Sequence, residues 1–335
     1  MSTQPRTILI TGANSGLGFE SAARFAELGA DRVILVARSV EKGEAARVQL
    51  RERVGRDPFA VLPIDLAELE TVDAAIEALR HHGGAIDALL LNAGVAGGAA
   101  PRRSPSGIEL GFASSLLGHH ALTVGLLEAG LLAERARIVI ASAEAVGGEM
   151  AMMAPSDISA FAEEHFDGDL HAALIAFARA ESPYQYTSAP HYSAVKMVAG
   201  WWAWALSSRL PKGMAVYAVS PGTTPNTGAV RNQPWLVRNV VMPLMAGPLG
   251  RWTGISHSLA DAVGRYVEAM AWGTERSGQT WASMSGKTTG PMAQMTQPHL
   301  QDRRSVEATW TMLRQLTGRD LTQARRVGAS PSSRG

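Results

Sequence analysis

The chain has 335 residues, 46% of them hydrophobic and 18% charged, a balance that excludes wholesale disorder and supplies enough apolar material for a large core. Its formal charge of +1, with acidic and basic residues interspersed, offers no broad positive surface to a phosphate backbone, so nucleic acid is not an expected partner. The absence of cysteine excludes disulfides, thiol catalysis and thiolate metal sites.

Residues 1–6 lack the apolar stretch of a secretory signal and run directly into a strand pattern, which makes a cytoplasmic location the expectation. Seven strand-like runs follow, at residues 7–11, 32–37, 59–64, 86–91, 137–141, 215–219 and 279–283. Ile8-Leu9-Ile10, Val33-Ile34-Leu35-Val36 and Ile138-Val139-Ile140 are apolar without alternation, as expected of parallel strands covered on both faces. Helix-length segments at 17–28, 41–54, 68–81 and 108–128 supply the crossovers, and the alternation predicts a Rossmann-like, doubly wound α/β sheet. The long apolar stretch 116–133 is broken by His119, His120 and Glu128, so it reads as a buried helix and no membrane span is expected. Residues 144–190, with Met150, Met152, Met153 and Ser182-Pro183-Tyr184, read as an insertion near the active site. Residues 221–256, rich in Pro, Gly and Trp, read as a lid. An amphipathic helix is expected over 301–316. The whole reads as one domain over 1–325, with a disordered polar tail at 326–335.

Thr11-Gly12-Ala13-Asn14-Ser15-Gly16-Leu17-Gly18 follows the first strand and opens the first helix, the context in which a glycine motif binds a dinucleotide. Gly12 permits the tight turn, Gly16 lets the backbone approach a pyrophosphate, Gly18 allows close helix-to-strand packing, and the amides of the helix start hold the anion. The spacing T-G-x-x-x-G-x-G resembles that of the short-chain dehydrogenase/reductase family. The resemblance continues in Asp65-Leu66, similar to the family's adenine-contacting pair, in Asn92-Ala93-Gly94 and in Pro221-Gly222, in order over about residues 7 to 285. It points toward NADP-dependent members similar to retinol dehydrogenases and protochlorophyllide reductase. At the end of the second strand, where NAD-specific sites place an acid on the ribose, this chain has Arg38, whose guanidinium suits a 2′-phosphate; NADP(H) is the expected cofactor.

Tyr192 and Lys196 stand four apart in a helical run, which puts phenol and ammonium on one face. The adjacent cation is expected to pull the phenol pKa down toward working pH, letting Tyr192 exchange a proton with a carbonyl or alcohol oxygen. The resemblance implies that Lys196 also holds the nicotinamide ribose. The family's catalytic serine and asparagine are altered here: Ala143 follows Ser142 where the second serine belongs, and Ser115 stands where asparagine is expected. Ser142, after a loop shift, and Ser115 are the remaining candidates at those places. Which of Thr223, Thr224 and Thr227 contacts the carboxamide stays open, with Thr224 taken as the candidate.

The leading reading is therefore an oxidoreductase interconverting a carbonyl and an alcohol on a small apolar substrate; the alternative is a non-catalytic dinucleotide-binding protein that senses or binds partners. The resemblance also implies dimers or tetramers. The run from His165 to His171 suits no recognised zinc spacing and is read as a polar loop, so no metal is expected. Gly286-Lys287-Thr288 is no phosphate loop, because Trp281 takes the place of the first glycine. Trp201, Trp202 and Trp204 are read as core or interface, with Trp235 the better candidate for a substrate pocket.

Overall fold

The computed structural model describes residues 5–95, 97–223, 258–284 and 287–321. Within these, β1 (Thr7–Thr11), β2 (Arg32–Ala37), β3 (Phe59–Pro63), β4 (Ile86–Leu91), β5 (Leu132–Ala141), β6 (Ala215–Val219) and β7 (Thr280–Ser283) pair in parallel. A short β8 (Met292–Gln294) runs antiparallel to β7. The order β3-β2-β1-β4-β5-β6-β7-β8 gives one strand more than expected, the added one lying at the edge. The doubly wound sheet read from the apolar runs is present.

Both faces are covered because successive strand residues point to opposite sides. Leu9, Leu89, Leu91, Ile138 and Ile140 belong to one core cluster, and Ile8, Ile10, Leu90, Val139 and Val219 to the other. The second cluster is closed by α1 (Gly16–Glu27), α2 (Val40–Val54) and α8 (Leu259–Met270). The first is closed by α3 (Leu69–His82), α4 (Leu110–Glu128), α5 (Ile158–His165), α6 (Leu170–Arg179), α7 (Ser188–Ser207) and α9 (Arg303–Thr317). Each fully buried Leu or Ile side chain contributes about 1.5–3 kcal/mol from removal of apolar area from water.

The segment 144–190 is more ordered than its composition suggests. Asp157 and Asp169 accept backbone N–H groups at the starts of α5 and α6. Leu170, Leu174 and Phe177 of α6 then join the main core. Asp169 thus serves as a helix cap within the His165–His171 run. Trp201 and Trp202 are buried in the same core, and the Trp201 indole donates to the His299 carbonyl at 2.8 Å. α4 is long and apolar enough to cross a membrane, yet 83% of its apolar window is buried within the fold. The lid expected over 221–256, from Thr224 onward, and the 326–335 tail lie outside the described residues, as do Thr227 and Trp235.

Candidate active site

The loops singled out from the sequence converge at the carboxyl ends of the parallel strands, around the reversal of strand order between β1 and β4. Gly12 and Gly16 have φ of +68° and +56°, which a side chain would strain. A β-carbon on Gly18 would press on the Gly12 carbonyl oxygen and lie 2.9 Å from Asn92 Nδ2, so α1 starts this close to β1 only with glycine. Ser15, the residue before α1, makes no side-chain cap bond, and the first turn, with Leu17 and Gly18, carries no acid. Its amides and the positive end of the helix dipole face the loop of Asn14 and Ser15. Arg38, at the carboxyl end of β2, is exposed and pairs with no carboxylate among the described residues.

After β3, the Asp65 carboxylate accepts the Ala67 N–H at 3.0 Å, and Leu66 is buried beneath α4. After β4, the Asn92 side-chain amide donates to the Thr11 carbonyl at 3.2 Å, and the Ala93 N–H donates to the Thr11 hydroxyl at 2.9 Å. That hydroxyl lies 2.9 Å from His119 Nε2, and His119 Nδ1 lies 2.9 Å from the Ser115 carbonyl oxygen. Full burial lowers the His119 pKa to about 3, so the ring is neutral. A carbonyl can only accept, so Nδ1 carries the hydrogen and Nε2 accepts from Thr11. This chain of bonds ties β1 to the middle of α4.

At that point α4 is not α-helical: residues Ala113–Leu117 form a π turn, with Ser115 inside it. Such turns are rare and concentrate at functional sites. A β-carbon on Gly94 would sit 2.7 Å from Ser115 Oγ and 3.6 Å from Lys196 Nζ, so Gly94, Ser115 and Lys196 meet at one place. Lys196 Nζ donates to the Ala141 carbonyl at 2.7 Å and lies 5.9 Å from the centroid of the Tyr192 ring. The two side chains share one face of α7, as their spacing predicts. Burial lowers the Lys196 pKa to about 8 and raises that of Tyr192. The expected downward pull on the phenol is therefore corrected: the ammonium is engaged at Ala141, and loss of solvation dominates at Tyr192. The phenol is protonated at neutral pH.

Ser142 is 4% exposed and its hydroxyl is enclosed without a hydrogen-bond partner among the described residues. Ala143 introduces the short turn Glu144–Gly147 and offers no hydroxyl. Pro221 and Gly222 follow β6, where the Gly222 N–H donates to Ser220 Oγ at 3.1 Å. Thr224 lies outside the described residues.

The family model described as short chain dehydrogenase matches residues 6–166, which hold the glycine loop, Asp65, Asn92 to Gly94, Ser115 and Ser142 and end before Tyr192. Retinol dehydrogenase 14 of Mus musculus is 39% identical over 151 residues, 42% of this chain and 44% of that protein. Over residues 6–166 the chain is similar to the short-chain dehydrogenases. The WW domain-containing oxidoreductase of Drosophila melanogaster is 30% identical over 237 residues, 70% of this chain and 52% of that protein. The chain spans about half the length, or less, of the curated relatives it matches. A short chain dehydrogenase from Escherichia coli CFT073, solved in complex with NADPH, superposes with a TM-score of 0.57 at 21% identity, over 83% of this chain and 95% of that one. That likeness carries the fold.

Two buried polar clusters of the protein escape sequence reasoning. Glu144 and Arg265, with side chains 8% and 5% exposed, form a 2.8 Å ion pair at the ends of β5, β6 and β7. Glu109 and His191 form a second buried pair, with Oε2 and Nε2 3.3 Å apart, beside Tyr192. The available signals were an acid directly after Ala143 and an acid in the cap position before an apolar helix.

Proposed function

We propose that this protein is an NADP(H)-dependent oxidoreductase that interconverts a carbonyl and an alcohol on a small apolar substrate. The observation that carries the reading is that Ser115 and Lys196 meet at Gly94, with the Tyr192 ring centroid 5.9 Å from Lys196 Nζ on the same helix. The residues fit the cofactor: a β-carbon at Gly18 would close the loop, the start of α1 lacks a carboxylate, and Arg38 is exposed without an acidic partner among the described residues. Arg38 suits a 2′-phosphate. The E. coli relative in fold is named as an NADPH complex, which agrees with this choice. When bound, the nicotinamide supplies or takes the hydride.

The chain's own part is proton transfer. Tyr192 Oη makes no hydrogen bond among the described residues, and its raised pKa keeps it protonated, ready to donate to the oxygen of a reduced carbonyl. The Lys196 ammonium steadies the phenolate that remains. Replacing Tyr192 with Phe should abolish NADPH oxidation with bulky ketones and aldehydes while leaving NADPH binding intact; an unchanged rate overturns the proposal.

One observation favours a second reading, a dinucleotide-binding protein without turnover. Neither Ala143 nor the enclosed Ser142 presents a donor to a substrate oxygen. Losing one such donor costs about 10²–10³ in rate, roughly 3–4 kcal/mol, which slows catalysis without removing it. Turnover confined to an Ala143→Ser, Ser115→Asn double variant would favour that second reading.

A further inference from the structure

We propose that the buried Glu109–His191 pair positions the reaction centre, fixing the helix that carries Ser115 against the helix that carries Tyr192 and Lys196. This rests on the oxidoreductase reading above. Glu109 and His191 lie 82 positions apart in sequence, with side chains 2% and 3% exposed, and their Oε2 and Nε2 atoms are 3.3 Å apart. The same Glu109 Oε2 accepts the Phe112 N–H at 2.8 Å and so caps α4, three residues before Ser115. One carboxylate oxygen therefore holds the start of α4 and the residue that directly precedes Tyr192 in α7.

The other side of the imidazole is held as well. His191 Nδ1 lies 3.1 Å from Tyr184 Oη, which lies 2.9 Å from Ser156 Oγ. Phe177, Tyr184 and Tyr186 surround the ring with centroids 4.6, 5.6 and 4.9 Å away. Next to it, Ser188 Oγ donates to the Gly97 carbonyl at 2.9 Å, and Tyr186 Oη donates to the Gly98 carbonyl at 3.3 Å, fastening the loop after Gly94 to the start of α7. The imidazole is thus fixed by bonds at both nitrogens and by three rings.

A buried polar pair is not needed for stability alone, because well-packed apolar side chains of the same size hold helices together as firmly. What the pair adds is direction. Two hydrogen bonds on one oxygen set both the distance and the rotation of α4 relative to α7, and the π turn makes Ser115 sensitive to both. Among the described residues no hydrogen bond joins Glu109 or His191 to Gly94 or Lys196, so the two act as positioning residues.

The test uses the full chain with NADPH and the carbonyl compound that the wild type reduces fastest in a panel of bulky ketones and aldehydes. His191→Phe keeps the ring packing and removes both bonds, Glu109→Leu removes the cap and the pair, and Glu109→Gln keeps an acceptor for each. His191→Phe and Glu109→Leu should bind NADPH as the wild type does, judged by its fluorescence. They should lose about 10²-fold in kcat, the effect of a misplacement of about 1 Å, with KM little changed. Glu109→Gln should recover most of that loss. Hydrogen exchange gives a readout independent of turnover: His191→Phe should speed exchange over residues 110–118, and Glu109→Leu over residues 188–196. If Glu109→Leu does not fold, His191→Phe, which leaves the α4 cap in place, carries the test. An unchanged kcat in His191→Phe, or exchange altered only in the substituted helix, overturns the proposal. A wild type that reduces no carbonyl overturns the oxidoreductase reading instead, and the exchange result then decides the coupling of the two helices.

Discussion

Removing the Glu144 carboxylate should destabilise the protein far more than removing any exposed acid. Its Oε1 atom pairs with Arg265 Nη1 at 2.8 Å and accepts the hydroxyls of Ser220 and Ser283, both at 3.0 Å, while Oε2 accepts the Ser283 N–H at 3.0 Å. Arg265 in turn donates to the Ser220 carbonyl at 3.1 Å, the Ser283 hydroxyl at 2.7 Å and the Gly290 carbonyl at 2.8 Å. Glu144→Ala leaves that guanidinium enclosed without its counter-ion, which costs about 3–5 kcal/mol. A chain of this size shifts its unfolding midpoint by about 2 °C per kcal/mol, so a fall of about 6–10 °C is expected in thermal unfolding followed by circular dichroism. The double variant Glu144→Met, Arg265→Met should recover most of the loss, because it removes the unpaired charge. Breaking the exposed Arg80–Glu77 pair, with side chains 52% and 60% exposed, should leave the midpoint unmoved. A single variant within about 1 kcal/mol of the wild type, or a double variant no better than the single, would refute the reasoning.

Gly18→Ala should weaken NADPH binding by about tenfold or more in a fluorescence titration, since its β-carbon would press on the Gly12 carbonyl and overpacking of this kind costs about 1–3 kcal/mol. Unchanged affinity would mean that the loop is not the phosphate site. Arg38→Ser should cost NADPH about 10–100-fold in affinity and leave NADH unaffected, as expected for loss of a charge-assisted bond; equal losses for both would remove Arg38 from the 2′-phosphate. Lys196 has a folded pKa of about 8 against an ordinary 10.5, so between these values the unfolded chain binds more protons and stability rises with pH. A Lys196→Met variant should lack that rise in denaturant titrations, and in the wild type the rate of carbonyl reduction should fall as pH passes about 8 and the ammonium is lost.

The strands were legible because their chemistry is local. Apolar runs such as Ile8-Leu9-Ile10 announce a strand covered on both faces, and five of the seven expected runs begin at the residues observed. β8, three residues without an apolar pattern, exists only because the free edge of β7 pairs with it. The helices of segment 144–190 carried readable caps in Asp157 and Asp169, which the surrounding methionines and Ser182-Pro183 obscured. The left-handed turns of the glycine loop and the shared helix face of Tyr192 and Lys196 were legible from spacing. The π turn at Ser115 was not, and neither was the hold of Thr11, from another element, on His119 four residues on. Nor were the Glu144–Arg265 and Glu109–His191 pairs, whose partners are 121 and 82 positions apart and follow no period. The pKa of Tyr192 was misjudged for the same reason: the lysine four residues on is visible in sequence, whereas burial is a property of the assembled fold.

The most direct measurement is a crystal structure of the protein with NADP(H) bound. It should place the 2′-phosphate on the Arg38 guanidinium, the pyrophosphate at the start of α1, and the nicotinamide ring beside Tyr192 Oη and Lys196 Nζ. A dinucleotide bound elsewhere, or a nicotinamide ring out of reach of both side chains, would contradict the account.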